Sequence, residues 1–547
     1  MGADVAATGN DTGDYRVPDV DAVVRGLTPE QHTAVTTEAS PLCVIAGAGS
    51  GKTRVLTRRV AYRVATGSAQ ADRSVVVTFT RKAAGELRRR LRHLHVDEVT
   101  VGTFHSLALS LQRQHWSDRN QAPPGIVDDP ARLVRSILDT DHIGSTPRAA
   151  SVPGGPARPQ PDGAFIRALT SEIEWAQACD LRPDTYAAAA LAARREPPMA
   201  VGAVADVYQR YQLIKHRRRV VDLHDLVTGA TRILEHDQAT AQALHWRRRH
   251  FYVDEFQDVN PAQWHFLLAL LGEQRDAFMV GDPHQAIYSW NGSDPTLMAR
   301  IADLLPGTTV LTLAANHRST PQIVAAAHAV LDPARPPTTT PRSPQPSPVP
   351  TTCPDGPPPA IHGFDDTADE AAAVARWLRL QHHPGRPWSH LAVLARTRAR
   401  LGPVAEALTR AGIPHRQVHP AADDDTTSLV GDSTERAVTL ATMHQAKGLE
   451  WPAVALVGLE DGLVPSTYAR SPQARAEECR LLYVAVTRAE TDLWCSWARD
   501  RSALGLTGPA SGSPWLAAIE AAIVDTPTPA PATVIERLHQ LRTQLAG

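Results

Sequence analysis

The sequence predicts an α/β protein built on two parallel sheets, with a helical insertion in the first. Three observations carry this. "AGAGSGKT" (46–53) joins an apolar strand to a helical segment, as a phosphate-binding loop does. Short apolar runs alternate with helical patterns in both halves of the chain. Between the halves, residues 333–359 hold 12 prolines, a density at which no helix or central strand survives.

The 547 residues exceed one ordinary core. In the first part, "LCVIA" (42–46), "SVVVTF" (74–79), "FYVDE" (251–255), "AFMVGD" (277–282) and "TVLTL" (309–313) read as buried parallel strands. They define a first domain over 23–106 plus 220–330. Residues 107–219 show no convincing strand. They carry helical patterns, such as "AFIRALTSEIEWAQAC" (164–179) and "AVADVYQRYQLIKHRRR" (203–219), and read as an inserted helical subdomain with a Pro/Gly-rich flexible stretch near 145–163. Residues 331–359 read as an extended linker.

Alternation resumes over 360–500. "AIHGF", "HLAVLARTR", "IPHRQV", "AVTLATMH", "PAVALVGL" and "TDLWCSW" are predicted strands. "DTADEAAAVARWLRL", "LGPVAEALTRAG" and 473–489 are predicted helices. Residues 501–547 read as a tail with short helices, the plainest being "VIERLHQLRTQL".

Formal net charge is −2, so no bulk basic surface exists and any nucleic-acid groove must be local. Five scattered cysteines without a CxxC pair argue against a zinc site or disulfide framework and fit a reducing cytosol. Residues 1–22 read as a disordered acidic tail without a signal-peptide core. No apolar run is long enough to span a membrane, so a cytoplasmic location is expected. Lysine is rare, four residues among 56 cations, a bias that fits a GC-rich bacterial genome. Three of the four (Lys52, Lys82, Lys447) nonetheless lie in stretches of chemical interest.

Glycines 47, 49 and 51 let the loop curl so that N–H groups face an anion at a helix N-terminus. Lys52 would reach the β- and γ-phosphates, and Thr53 would bind Mg²⁺. The strict pattern begins with Gly where this chain has Ala46. Asp254, leaving an apolar run, would hold the magnesium, and Glu255 would accept a proton from the attacking water. Taken alone, that pair could equally be exposed acids at a turn. Gln285 in "VGDPHQAIYSW" (280–290) is placed to sense a γ-phosphate. Tyr288 reads equally as packing or stacking. Trp290, followed by polar "NGSD", reads as an exposed platform for a base.

The order of these motifs resembles superfamily 1 helicases of the UvrD, Rep and PcrA kind. "LTPEQ" (27–31) looks like their adenine-reading motif. "TFTRKAA" (78–84), "GTFHS" (102–106), "VDEFQD", "NHRS" (316–319), "VTLATMHQAKGLEW" (438–451) and "EECRLLYVAVTRAE" (477–490) follow in family order. The resemblance runs from about residue 25 to about 500. It implies two RecA-like domains closing on ATP and Mg²⁺, with Gln31 on the adenine. Ala46, Gly47, Ala48, Gly49, Ser50, Gly51, Lys52, Thr53 and Arg54 would surround the nucleotide. Gly448 would lie near the γ-phosphate, and Glu450 on the ribose. Arg318 and Arg488 would act as arginine fingers. Phe79, Thr80, Thr103, His105, Tyr288, Trp290 and His444 would face single-stranded DNA. The implied activity is 3′→5′ translocation on single strands and at single-strand/duplex junctions, by a monomer.

Several positions depart from the family. His317 stands where a tyrosine stacks on adenine, Asn291 where Arg is common, and His284 where Asp is usual. The family's second helical insertion, 2B, has no room between "GIPHRQV" and "RAVTLATMH". Three other readings compete. A nucleotide switch would not need Glu255, Gln285, Arg318, Arg488 and Trp290 together. A fused nuclease does not fit the short tail. A binder without turnover would lack a core catalytic position, and none is missing. "RRRLR" (88–92) and "KHRRR" (215–219) could line a groove or form solvated faces.

Overall fold

The computed structural model describes residues 18–144, 162–331, 351–418, 436–501 and 508–525. Its strands are β1 (Leu42–Ala46), β2 (Ser74–Thr78), β3 (Thr100–Thr103), β4 (Gly125–Ile126), β5 (Val220–Val221), β6 (His250–Val253), β7 (Ala277–Gly281), β8 (Thr309–Leu313), β9 (Ala360–Asp366), β10 (Leu391–Ala395), β11 (His415–Gln417), β12 (Val438–Thr442), β13 (Trp451–Val457) and β14 (Ala489–Asp500). Twelve of them form two six-stranded sheets, ordered β3-β2-β6-β7-β1-β8 and β11-β12-β10-β13-β14-β9, and β4 pairs with β5 in a third, two-stranded sheet. All pairings are parallel.

In the first sheet, helices cover both faces, so β1, β2, β6 and β7 are apolar on both sides. Helices Pro29–Thr36, Lys52–Ala65 and Arg81–His93 pack on one face around Leu56, Val76 and Phe278. Helices Phe104–Asp118, Leu223–His236 and Pro261–Leu271 pack on the other around Val77, Phe251 and Met279. Because every strand runs the same way, the loops after β1, β2, β3, β6 and β7 emerge on one rim. Ligands of open parallel sheets bind there.

The insertion has its own core. Helices Pro130–Gly144, Gly163–Ala178, Pro183–Ala192 and Val201–Arg218 enclose Val134, Leu169, Ile173, Tyr186 and Tyr211. Lys215 of "KHRRR" is neither on a solvated face nor in a groove. It is buried, with its ammonium 2.6 Å from both Asp222 and Asp225. Arg217, Arg218 and Arg219 of the same run are exposed. A buried ammonium needs such partners. This pair fastens the insertion's last helix to the first domain's next one.

Several expectations need correction. The acidic tail does not reach residue 22, because Val20–Val24 is a helix capped by Asp19, with Val23 buried. "TVLTL" is buried only at Leu313. As β8 it is an edge strand, and Val310 is 42% exposed. Three strands were not anticipated: β3, and the two-residue β4 and β5, which pair with each other at the edge of the insertion. None is a long apolar run, so periodicity gives them no signal.

The domain boundary lies before 330. Helix Pro321–Leu331 packs through Ile323, Ala327 and Val330 into the second domain's core, beside Leu482 and Ile519. The end of the proline-rich linker is fixed to that junction. Thr352 N–H donates to the Asn316 carbonyl at 3.0 Å, and Gly356 N–H to Gln322 Oε1 at 2.9 Å. The tail also contributes core, since helix Leu516–Asp525 follows buried Trp515 and places Leu516 and Ile519 inside. The helix expected at "VIERLHQLRTQL", the flexible stretch near 145–163 except its last two residues, and the segment 419–435 lie outside the described residues.

One feature of the second sheet bears on the 2B insertion. β11 ends at Gln417, β12 begins at Val438, and the two are parallel neighbours. A parallel crossover itself needs a dozen or more residues. The chain between Gln417 and Val438 has about the length that such a crossover requires. No helix among the described residues is long and apolar enough to cross a membrane. All five cysteines are free thiols.

Candidate functional site

The site forms where the first sheet's rim meets the second domain. β1 ends at Ala46, and the chain turns through Gly49 (φ +71°) and Gly51 (φ +87°) into helix Lys52–Ala65. Gly49 is required for a second reason. A Cβ there would lie 2.7 Å from the Asn316 amide, which donates to the Ala48 carbonyl at 2.8 Å. His317 N–H also donates to Gly49 O at 2.9 Å. Gln31, buried on helix Pro29–Thr36, donates to Ser50 O at 2.9 Å. The loop is therefore held on one side by Gln31 and on the other by residues 316–317. Arg54 points outward and donates to Gly26 O at 2.7 Å.

Lys52 Nζ donates to Ala46 O at 3.1 Å and Gly47 O at 3.2 Å, and lies 4.0 Å from Asp282. Burial lowers its pKa, Asp282 and Glu255 oppose that shift, and Arg318 and Arg488 add to it. Lysine, both arginines and both acids thus share one field. Thr53 follows on the first helical turn.

Asp254 and Glu255 leave β6 at the same rim. Asp254 is buried, and its Oδ1 has no hydrogen-bond partner. Burial and the adjacent Glu255 push its pKa above the ordinary carboxylate value. An orphaned buried carboxylate oxygen on the same rim as Thr53, with β7 between their two strands, fits a divalent cation, which would remove that cost. Among the described residues no group of three or more His, Cys, Asp or Glu could hold a metal. The fit is therefore to a cation completed by substrate phosphates, as Mg²⁺ sites commonly are.

Glu255 takes a left-handed backbone (φ +51°), which turns its side chain away from the strand direction. Its carboxylate accepts from Gln257 Nε2 at 2.5 Å. Burial raises its pKa, but Lys447, Lys52, the Gln257 hydrogen bond and Arg488 outweigh that and hold it below the usual value. It is anionic at neutral pH, as a proton acceptor must be.

Gln257 was not anticipated and links two strands. Its Oε1 accepts from Asp282 N–H at 2.8 Å. Gly281 is glycine because a Cβ there would collide with that same Oε1. Asp282 then accepts from Gln285 Nε2 at 2.7 Å. The acid, the sensor candidate and the lysine are one connected set.

The second domain closes the site. Arg488 is 2% exposed, and it donates to Val484 O and Leu449 O, each at 2.9 Å. Burial and Arg318 push its pKa down to about 10. Arg318 forms an ion pair with Glu450, the residue expected on a ribose. Gly448, at φ +80°, sits two residues before that glutamate.

Lys447, a rare lysine within a family motif, reaches across to Asp258 (2.6 Å) and to Gln285 O (2.6 Å), with Nζ 4.9 Å from the Tyr288 ring. Arg480 donates to Ala286 O at 2.6 Å, and Ser289 N–H donates to Glu477 at 3.0 Å. Asp258, Lys447, Glu477, Arg480 and Asn316 were all missed as site residues. Their positions within quoted motifs were the available signal, but the partners of Asp258, Lys447, Glu477 and Arg480 lie in the other domain, and that of Asn316 lies on the phosphate loop.

Of the residues expected to face a strand, Thr80 and Thr103 cap the helices after β2 and β3. Phe79 packs edge-on to Phe104, 6.1 Å between ring centres. Tyr288 is half-buried under Lys447, whereas Trp290 is 50% exposed. Burial, then His224, brings His105 down to about 4. Burial, then Arg396, brings His444 down to about 4. Both imidazoles are neutral at pH 7. Each has a folded-state value below its unfolded value of about 6.5. Their stabilising contribution is complete above 6.5 and is lost as pH falls from 6.5 toward 4. Melting temperatures followed from pH 7 to 5 should fall less steeply in His105→Asn/His444→Asn than in the parent. Parallel curves would show that neither histidine is buried neutral.

The deciding comparison is with family models. The UvrD/REP helicase N-terminal domain matches residues 27–306, and the UvrD-like helicase C-terminal domain matches 311–422 and 424–500. The chain belongs to the UvrD/Rep helicase family. This UvrD-family chain is 33% identical to the ATP-dependent DNA helicase UvrD2 of Mycobacterium tuberculosis, over 88% of its own length and 80% of the relative's. It is 27% identical to the ATP-dependent DNA helicase PcrA of Staphylococcus epidermidis over 73% of its length, spanning 52% of that relative. It is 29% identical to DNA helicase II of Escherichia coli, again over 73% of itself and 52% of that protein. The second family match begins at 311, on the same side of helix Pro321–Leu331 as the packing boundary.

Proposed function

We propose that this chain is an ATP-dependent DNA helicase whose core motion is 3′→5′ translocation along single-stranded DNA. The observation that carries the reading is continuity. The set Lys52–Asp282–Gln285 runs without a break into 286–290, a segment gripped from the second domain by Lys447, Glu477 and Arg480 and ending in exposed Trp290. A change at the γ-phosphate position and a change at a base-stacking ring are changes of one short segment.

In this reading Lys52 and the N–H groups of residues 47–53 bind the triphosphate, and Gln31 reads the adenine. Thr53 and Asp254 would hold Mg²⁺, which when bound neutralises charge on the phosphates. Glu255 accepts the proton of the attacking water. Arg318 and Arg488 stabilise charge developing on the γ-phosphate, and Arg318 exchanges Glu450 for it. Glu450, freed, is then available to the ribose, with Gly448 beside the phosphate. Phe79, Thr80, Thr103, His105 and His444 contact the strand through hydroxyls, neutral imidazoles and a ring, none of which reads sequence. Closure on ATP and opening after hydrolysis alternate the two domains' grips.

Stopped-flow translocation on strands labelled at either end tests this. Motion toward the 5′ end at protein below DNA concentration is expected. Motion toward the 3′ end, or activity only with protein in excess, refutes the polarity or the monomeric motor.

A further inference from the structure

A cavity of about 430 Å³ opens between the helices Lys52–Ala65 and Arg81–His93, on the outer face of the first domain. Arg54 and Arg58 line it from one helix, and Arg89, Arg90 and His93 from the other. No carboxylate lines it. Glu86 pairs with both Arg89 and Arg90, yet those side chains remain 67% and 47% exposed.

Arg54 and Arg58 are held by neutral acceptors. Arg54 donates to Gly26 O, and Arg58 to the carbonyls of Ala22, Val23 and Arg25. Such bonds fix a guanidinium without cancelling its charge. The consequence is visible in Arg58, whose pKa is lowered by burial and then by Arg54. Four guanidiniums therefore line the cavity, and among their printed partners only Glu86, outside its lining, is a carboxylate.

The cavity is continuous with a strongly basic helix. Arg81–His93 carries Arg81, Lys82, Arg88, Arg89, Arg90, Arg92 and His93 among its 13 residues. It begins at Thr80, which the reading above places on the single strand, and the inference rests on that reading. At about 1.5 Å per residue the helix carries positive charge roughly 18 Å away from that contact. Apart from His93, no ring lines the cavity, so it offers phosphate contacts and no platform for stacking. That chemistry suits a duplex, whose bases are hidden and whose phosphates are not.

We propose that this cavity is a second phosphate site, which takes backbone phosphates of the duplex arm of a tailed DNA outside the single-strand path. It supplies a duplex contact from the first domain in a chain with no room for the 2B insertion.

The test uses the full chain with Arg89→Ala/Arg90→Ala, and Arg89→Lys/Arg90→Lys as the charge-keeping control. Dissociation constants are measured for a single-stranded oligonucleotide and for a tailed duplex across a salt series. The alanine pair should weaken the tailed duplex about tenfold at low salt and reduce the slope of log K against log salt by about 1.8, at about 0.9 per phosphate. Single-strand affinity should stay within about twofold, and the lysine pair should keep the parent slope. Equal losses on both DNAs would assign the arginines to the single-strand path and overturn the proposal. An unchanged slope would make them a solvated face. Titration of pyrophosphate into a Lys52→Ala background adds a third check. Binding that the alanine pair abolishes would mark a small-anion site instead. The parent's single-strand-stimulated ATPase is measured alongside. Its absence refutes the helicase reading itself, whereas stimulation with an unchanged slope removes only the duplex site.

Discussion

Arg488→Ala should lower ATP turnover by about 10³–10⁵-fold, the range typical of an arginine finger. Its guanidinium is enclosed and bonded to Val484 O and Leu449 O, so its position is set by the second domain before any nucleotide binds. Arg318 and Glu255 both act on it electrostatically, which places it among the cleft's charges. Removing it also leaves two carbonyls without a donor, and a structural loss must be separated from a catalytic one. Arg488→Lys keeps the charge but not the planar fork. The expected pattern is a lysine variant that melts near the parent temperature, binds ATP, and turns over far more slowly. Parent-level kcat in that variant would show that Arg488 is a structural tie alone.

Glu255→Gln should reduce kcat by about 10²–10⁴-fold while leaving nucleotide affinity within a few-fold of the parent. Asp254, with its unpartnered oxygen, remains to hold the cation, and Lys52 remains to hold phosphate. The substitution is nearly isosteric and keeps an acceptor for Gln257 Nε2. Filter binding of labelled ATP beside steady-state turnover checks the split. Turnover near the parent level would remove the general-base role. Loss of binding and turnover together would mean that Glu255 positions the nucleotide.

The phosphate loop, the acids after β6 and the alternating strands of both domains were legible because each is encoded locally. A glycine-rich turn after an apolar strand dictates its own geometry. Runs such as "LCVIA" and "AFMVGD" are apolar because both faces of a parallel strand are covered. The edge strand β8 misled, since its valine and leucine follow the same pattern but lack a neighbour on one side. The brevity of the β11–β12 connection was also readable, being a matter of chain length.

What the sequence by itself determined is the inventory: two parallel-sheet domains, a loop shaped for phosphate, and the acids and arginines that suit it. What the tertiary structure alone decided is which of them meet. Helix Pro321–Leu331 lies beside the first domain in sequence but completes the second domain's core, because its buried face matches helices Pro472–Val486 and Leu516–Asp525. Lys447 finds Asp258, Glu477 finds Ser289 and Arg318 finds Glu450 across more than a hundred residues of chain. Periodicity and spacing report only what a segment buries. Partners on facing domains are set by how the two sheets dock, and a buried charge is stable only where that docking supplies its counterpart.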